Sequence, residues 1–184
     1  MNLKEKYVIE NIYSRRSVRS YVEGKQVEEE KTEQLLKAAM AAPSACNIQP
    51  WEFIVVNDEP TVKLLRENID YGKYNAPLII VVCGNPKFIP WDNDNGKIDC
   101  SAAIENMLLA ATAMDLGSVW IGGFDANKIR PILDIPEEVE PISIVYIGYP
   151  TEVPEARTKY VEAAVHYQKY DKNRVQEKRP GCLV

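Results

Sequence analysis

Residues 98–125 read IDCSAAIENMLLAATAMDLGSVWIGGFD. Apolar side chains run nearly all the way round the first part, with Ala102, Ile104, Met107, Leu109, Ala111, Ala113 and Met114 spread over every face. A helix of that kind is buried inside a fold or between subunits. The pattern predicts a helix over Ile98–Leu116, stopped by Gly117. A short strand over Ser118–Gly122 then leads into Gly122-Gly123-Phe124, and Asp125 is placed to cap a helix over Asn127–Leu133.

Working outward, Leu78–Cys83 (LIIVVC) is a continuous apolar run, the pattern of a central strand covered on both faces. Trp51–Asn57 and Ile142–Ile147 read as further strands. Leu3–Tyr13 reads as a short helix with Val8, Ile9 and Ile12 on one face. Glu28–Ala42 is amphipathic, with Leu35, Leu36, Ala39 and Met40 as its stripe. Asp58 can cap a helix over Thr61–Glu67. This order predicts an α+β or α/β fold with a four- or five-stranded sheet covered by helices. A length of 184 residues fits one domain spanning 1–184. The polar tail after Pro150, residues 151–184, is too long for an ordinary loop and is expected to wrap a partner subunit.

The chain carries 22 Lys+Arg against 27 Asp+Glu, a net charge of −5. The balance is +3 over residues 1–19, −11 over 20–154 and +3 over 155–184. An acidic body argues against a nucleic-acid surface. With His166 as the lone histidine and no CxxC pair among Cys46, Cys83, Cys100 and Cys182, no metal site is expected. Scattered cysteines and a charged opening without an apolar signal region predict a cytoplasmic protein. No run is long enough to span a membrane. Glycine-rich nucleotide loops and a G-x-S-x-G elbow are both missing, so any phosphate must be held by side-chain cations or helix ends.

Four segments could carry chemistry. Arg15-Arg16-Ser17-Val18-Arg19 puts three guanidiniums and a hydroxyl within five residues, enough to hold a phosphate, although a solvated basic turn has the same composition. Ser44–Gln49, ahead of Trp51, offers uncharged donors and acceptors suited to a heterocycle, or simply turns the chain. Gly122-Gly123 lets a ligand approach the backbone, or serves a strand-to-helix turn. Arg157 and Lys159 could add cations from the far end of the chain.

In this order and spacing, R-R-S-V-R, A-P-S-A-C-N-I-Q-P-W-E-F (residues 42–53) and L-G-S-V-W-I-G-G-F-D (residues 116–125) resemble the nitroreductase family of FMN-dependent oxidoreductases over nearly the whole chain. The resemblance implies an α+β homodimer, its mostly antiparallel sheet covered by helices and its tails swapped between subunits. FMN would lie at the interface. Arg15 and Ser17 would then contact the phosphate and ribityl chain, with Arg16 beside them and Arg19 near the pyrimidine edge. Pro43, Ser44 and Asn47 would reach the flavin from the partner, with Gln49 nearby. Gly122 and Gly123 would present backbone N–H groups to N5, and Arg157 and Lys159 would close the phosphate site. Tyr71, Tyr74 and Trp91 are candidates for the substrate pocket.

The resemblance further implies ping-pong transfer of electrons from NADH or NADPH to a small nitroaromatic, quinone or similar electron-poor acceptor. No protein side chain is expected to act as catalyst, because the flavin performs the hydride chemistry. The alternatives are a specialised flavoenzyme for enone reduction or dehydrogenation, and a low-turnover flavin-binding redox carrier.

Overall fold

The computed structural model describes residues 2–89, 95–156 and 160–175. Five α-helices, α1 (Leu3–Ser14), α2 (Glu29–Met40), α3 (Glu59–Asn68), α4 (Asn95–Ala113) and α5 (Ala126–Leu133), accompany four strands, β1 (Trp51–Val56), β2 (Leu78–Gly84), β3 (Gly117–Ile121) and β4 (Glu140–Gly148). The strands form one sheet in the order β1-β2-β4-β3, and every pairing is antiparallel. This is the expected α+β class with the smaller of the two expected strand numbers.

Side-chain alternation along the central strands builds two cores. Leu78, Ile80 and Val82 of β2, with Val145 and Ile147 of β4, face Leu35 and Ala39 of α2 and Cys100, Ile104 and Met107 of α4. Ile79, Val81 and Cys83, with Ile144 and Tyr146, face Val62 and Leu65 of α3 and Ile129 of α5. The sheet therefore lies between two helical layers, and all seven residues of β2 are buried. That is the covering the unbroken LIIVVC run predicts. The register shifts between Val82 and Cys83, where Ser143 and Pro141 are the successive partners on β4 and Ile142 is left over.

Local signals set several helix ends. Asp58 accepts a hydrogen bond from the Thr61 N–H at 3.0 Å, and Asp125 accepts one from Asn127 N–H at 2.9 Å, as the sequence predicts for both caps. Asn2 and Glu5 close a capping box on α1. The long helix differs from expectation. It begins at Asn95 and ends at Ala113, ahead of Gly117, because Asp115 turns the chain at φ 59°. Gly117 instead opens β3, where a side chain would collide with Val18 Cγ1 at 2.7 Å.

Two surfaces remain apolar. α1 packs on α4, with Asn11 Nδ2 donating to Leu109 O at 3.0 Å, yet it buries none of its residues. Leu3, Tyr7, Val8, Ile9, Ile12 and Tyr13 are all exposed. On α4, Ile98 is also exposed although Cys100, Ala103 and Ile104 beside it are buried. The described residues beyond Pro154, 155–156 and 160–175, belong to a second compact unit. Within that second unit His166 stacks on Tyr170 with centroids 4.2 Å apart, and Arg174 Nη1 donates to Glu162 O at 2.9 Å.

Candidate functional site

The basic segment is pinned to the sheet edge. Ser17 bridges Ser118 in parallel, and Val18 N–H donates to Ser118 O at 2.9 Å. Val18 is buried against Gly117, which turns the flanking residues outward. Arg15 Nε lies 3.4 Å from a Glu105 carboxylate oxygen. Arg16 Nη1 donates to Tyr13 O and Arg15 O, both at 2.6 Å, and Arg19 Nη1 donates to Ser17 O at 3.2 Å. Arg16 also lines a groove of about 280 Å³ with Ser14, Thr112 and Asp115. Three guanidiniums thus meet one carboxylate in an ion pair among the described residues. A guanidinium has five donors, so the segment keeps donors and charge for an anion.

The glycine pair follows directly from β3. Neither Gly122 nor Gly123 has a positive φ, and a Cβ built on either meets nothing within 4 Å. The fold itself does not require glycine at these positions. A ligand approaching the backbone would.

The loop carrying Tyr71 and Tyr74 belongs to the same neighbourhood. Gly72, at φ 81°, would place a Cβ 3.2 Å from Ile121 Cδ1, just before the glycine pair. Tyr74 meets the buried Tyr146 edge-on at 5.6 Å. Asn75 ties this loop to the basic segment by bonding both sides of the Tyr21 backbone, accepting from its N–H at 3.0 Å and donating to its C=O at 2.8 Å. The Tyr21 phenol, pushed well above its ordinary pKa by burial, donates to Val18 O at 2.7 Å. Burial also lifts Tyr146 to about 12, so both phenols stay neutral.

The Ser44–Gln49 loop is built differently. Ala45–Asn47 form a short 3₁₀ turn in which Cys46 (φ 50°) and Asn47 (φ 54°) are left-handed, and Gln49 (φ 50°) is left-handed beyond it. Such backbone is costly for residues with side chains and persists only where surrounding bonds enforce it. Ser44 Oγ accepts from Gln49 N–H at 3.0 Å, Gln49 Nε2 donates to Asn47 Oδ1 at 3.0 Å, and Asp99 Oδ1 accepts from Ala45 N–H at 3.0 Å. Pro43 is exposed at its start. Cys46 is an exposed free thiol.

The structure thus joins Arg15–Arg19 to β3 through the Ser17–Ser118 bridge and the Gly72–Asn75 loop to Ile121 and Tyr21, while Ser44–Gln49 bonds to Asp99 on α4. Glu105 and Asp99, which hold Arg15 and Ala45, sit six residues apart on α4. That is about 9 Å along the axis and about 120° around it. Trp91, Arg157 and Lys159 lie outside the described residues. The sequence pattern assigns no site role to Asp99 or Asn75. A carboxylate among Cys100, Ala103 and Ile104 on the buried face of α4 was the available signal for Asp99.

The sequence profile of the Nitroreductase family matches residues 12–70 and 60–149. The chain belongs to the nitroreductase family. A protein of Archaeoglobus fulgidus, provisionally named an NADH dehydrogenase/NAD(P)H nitroreductase, is 42% identical to this chain over 168 residues, covering 86% of this chain and 96% of the relative. A Bacteroides thetaiotaomicron structure of the same provisional name superposes with a TM-score of 0.81 at 35% identity, over 89% of this chain and 98% of the other. A provisionally named nitroreductase from Desulfovibrio desulfuricans, solved in complex with FMN, gives a TM-score of 0.77 at 27% identity, over 89% and 98% of the two chains. No helix among the described residues is long and apolar enough to cross a membrane, and no metal-binding cluster occurs among them.

Proposed function

We propose that this nitroreductase is a cytoplasmic, homodimeric FMN-dependent oxidoreductase that passes electrons from NADH or NADPH to nitroaromatic, quinone or similar electron-poor acceptors in a ping-pong cycle. One observation carries the reading. An anion-ready arginine segment and a bare glycine backbone share one sheet edge, and the fold does not explain the bareness of the glycines. FMN, when bound, supplies two-electron acceptance and donation.

The residues of the chain then bind and orient. Arg15 and Ser17, with Arg16 beside them, hold the phosphate and ribityl chain. Arg19 places positive charge near the pyrimidine edge, where it favours the more negative, reduced state. Backbone N–H groups of Gly122 and Gly123 orient the N5 edge. Tyr71 and Tyr74, with Trp91, flank the space where donor and acceptor stack in turn. Arg157 and Lys159 add cations to the phosphate from the chain's other basic end.

Pro43, Ser44, Asn47 and Gln49 reach the flavin from the partner subunit, so each flavin is held by both chains of a homodimer. The unburied apolar face of α1 and exposed Ile98 supply surface for that association. The tail from residue 151 onward, with Tyr160, Tyr167 and Tyr170 exposed, wraps the partner subunit.

Anaerobic titration of purified protein with NADH and NADPH, followed by a panel of acceptors, tests this reading. The expected result is a yellow protein that one dinucleotide bleaches and that quinones or nitroaromatics reoxidise. Failure to bleach refutes NAD(P)H dependence. Bleaching without reoxidation by any organic acceptor points to a redox carrier.

A further inference from the structure

Asp99 is 5% exposed, and among the described residues it forms no ion pair. A buried carboxylate without a cation is costly and needs a compensating role. One oxygen accepts from Ala45 N–H across 54 residues of chain, and the other has no hydrogen-bond partner among the described residues. The amide it holds opens the 3₁₀ turn in which Cys46 and Asn47 are left-handed.

The other bonds of the loop are internal. Asn47 N–H donates to Ser44 O, Ile48 N–H to Ala45 O and Gln49 N–H to Ser44 Oγ. Those bonds can shape the loop, but they cannot set where it sits on the body of the protein. Asp99 Oδ1 can, because α4 is fixed at the same level by the buried Cys100, Ala103 and Ile104. The bond also secures the start of the segment in which Ser44 and Asn47 present their side chains.

We infer that Asp99 is the positioning residue of the flavin-facing loop: its carboxylate, through the Ala45 amide, holds Ser44–Gln49 in the left-handed form that aligns Ser44 and Asn47. This rests on the assignment of that loop to FMN. Asp99 touches neither flavin nor substrate on this account. It acts through backbone, so what matters is its acceptor oxygen.

The experiment compares FMN affinity, by quenching of flavin fluorescence, in wild type, Asp99→Ala, Asp99→Asn and Ala45→Pro, with the visible-region circular dichroism of the bound flavin recorded alongside. Ala45→Pro removes the N–H and puts the ring Cδ where the Asp99 oxygen approached, so the bond is broken from the loop side with the carboxylate still present. Ser44 ahead of it is already extended (φ −139°, ψ 158°), as a residue before proline must be. Asp99→Ala and Ala45→Pro are each expected to raise the FMN Kd about 10- to 100-fold, the range for losing a hydrogen bond to a charged group. Both should alter the flavin dichroism while leaving the far-ultraviolet spectrum unchanged. Asp99→Asn, which keeps an acceptor oxygen, should stay within about threefold of wild type. The double variant Asp99→Ala/Ala45→Pro should be no worse than the poorer single variant, since both delete one bond.

Wild-type affinity and dichroism in Ala45→Pro overturn the inference even if Asp99→Ala fails to fold. So does an Asp99→Asn loss equal to that of Asp99→Ala, or additive losses in the double variant. Wild-type protein that binds no FMN overturns the functional reading and this inference together, whereas normal wild-type binding with unaffected variants overturns this inference alone.

Discussion

Replacing Arg15 and Arg19 together by alanine separates cofactor binding from folding. Among the described residues, Arg15 makes a single ion pair, to Glu105 at 3.4 Å, with the two side chains 31% and 46% exposed. A pair that wet contributes about 0–1 kcal/mol. Arg19 is exposed and donates to the Ser17 carbonyl at 3.2 Å. The double variant should therefore unfold within about 2–4 °C of wild type, the shift that about 1 kcal/mol produces in a chain of this size. If both guanidiniums hold FMN, two charge-assisted hydrogen bonds of about 1.5–3 kcal/mol each are lost. Together they amount to about 3–6 kcal/mol, or a rise of about 100- to 10,000-fold in Kd. Fluorescence titration of apoprotein with FMN reads the affinity, and thermal unfolding monitored by far-ultraviolet dichroism reads the fold. Unchanged flavin affinity in a folded double variant refutes the phosphate and pyrimidine assignments. A large loss of melting temperature in the apoprotein refutes the claim that these arginines are spare in the fold.

Glycines at the two ends of β3 should behave oppositely. Gly117→Ala drives a methyl into Val18 at 2.7 Å and should cost about 1–3 kcal/mol in urea unfolding, whereas Gly123→Ala meets open space and should stay within about 0.5 kcal/mol while weakening FMN binding. Val8→Asp with Ile12→Asp charges the unburied face of α1; on the proposed homodimer, wild type should sediment as a dimer and this variant as a monomer, with the far-ultraviolet spectrum retained. Burial raises the Cys83 thiol from 9.0 to about 11 and the Cys100 thiol from 9.0 to about 12. In both cases the unfolded chain ionises first, so their contribution is fully present below about pH 9 and is lost as pH rises through 11–12. The urea midpoint should fall from pH 9 to pH 11, and Cys83→Ala with Cys100→Ala should make that fall shallower.

The elements that pattern strongly in sequence are those whose burial is one-sided or complete. LIIVVC became a fully buried central strand, and the aspartates at 58 and 125 became caps, because both outcomes follow from neighbours within a few residues. The Gly117 stop failed for the converse reason. What fixes Gly117 is Val18, 99 residues earlier, and no local rule encodes that contact. Asn75, Asp99 and Ser118 share this invisibility, since their partners at Tyr21, Ala45 and Ser17 are distant in the chain.

The charge division of +3, −11 and +3 was readable at once, yet its meaning depended on the same long-range contacts. Net charge describes how the surface meets a distant partner, whereas a bound phosphate responds to the few cations within reach of it. The bridge from Ser17 to Ser118 places the first basic segment on the edge strand that ends at the open glycine pair, and Asn75 adds the tyrosine loop to that edge. The amide-rich loop follows α2 and is tied to α4 through Asp99. The chain therefore carries one cationic and one neutral polar segment. On the proposed reading an anionic tail takes the first and a neutral heterocycle the second, so an acidic body with basic ends is compatible with a single anionic ligand.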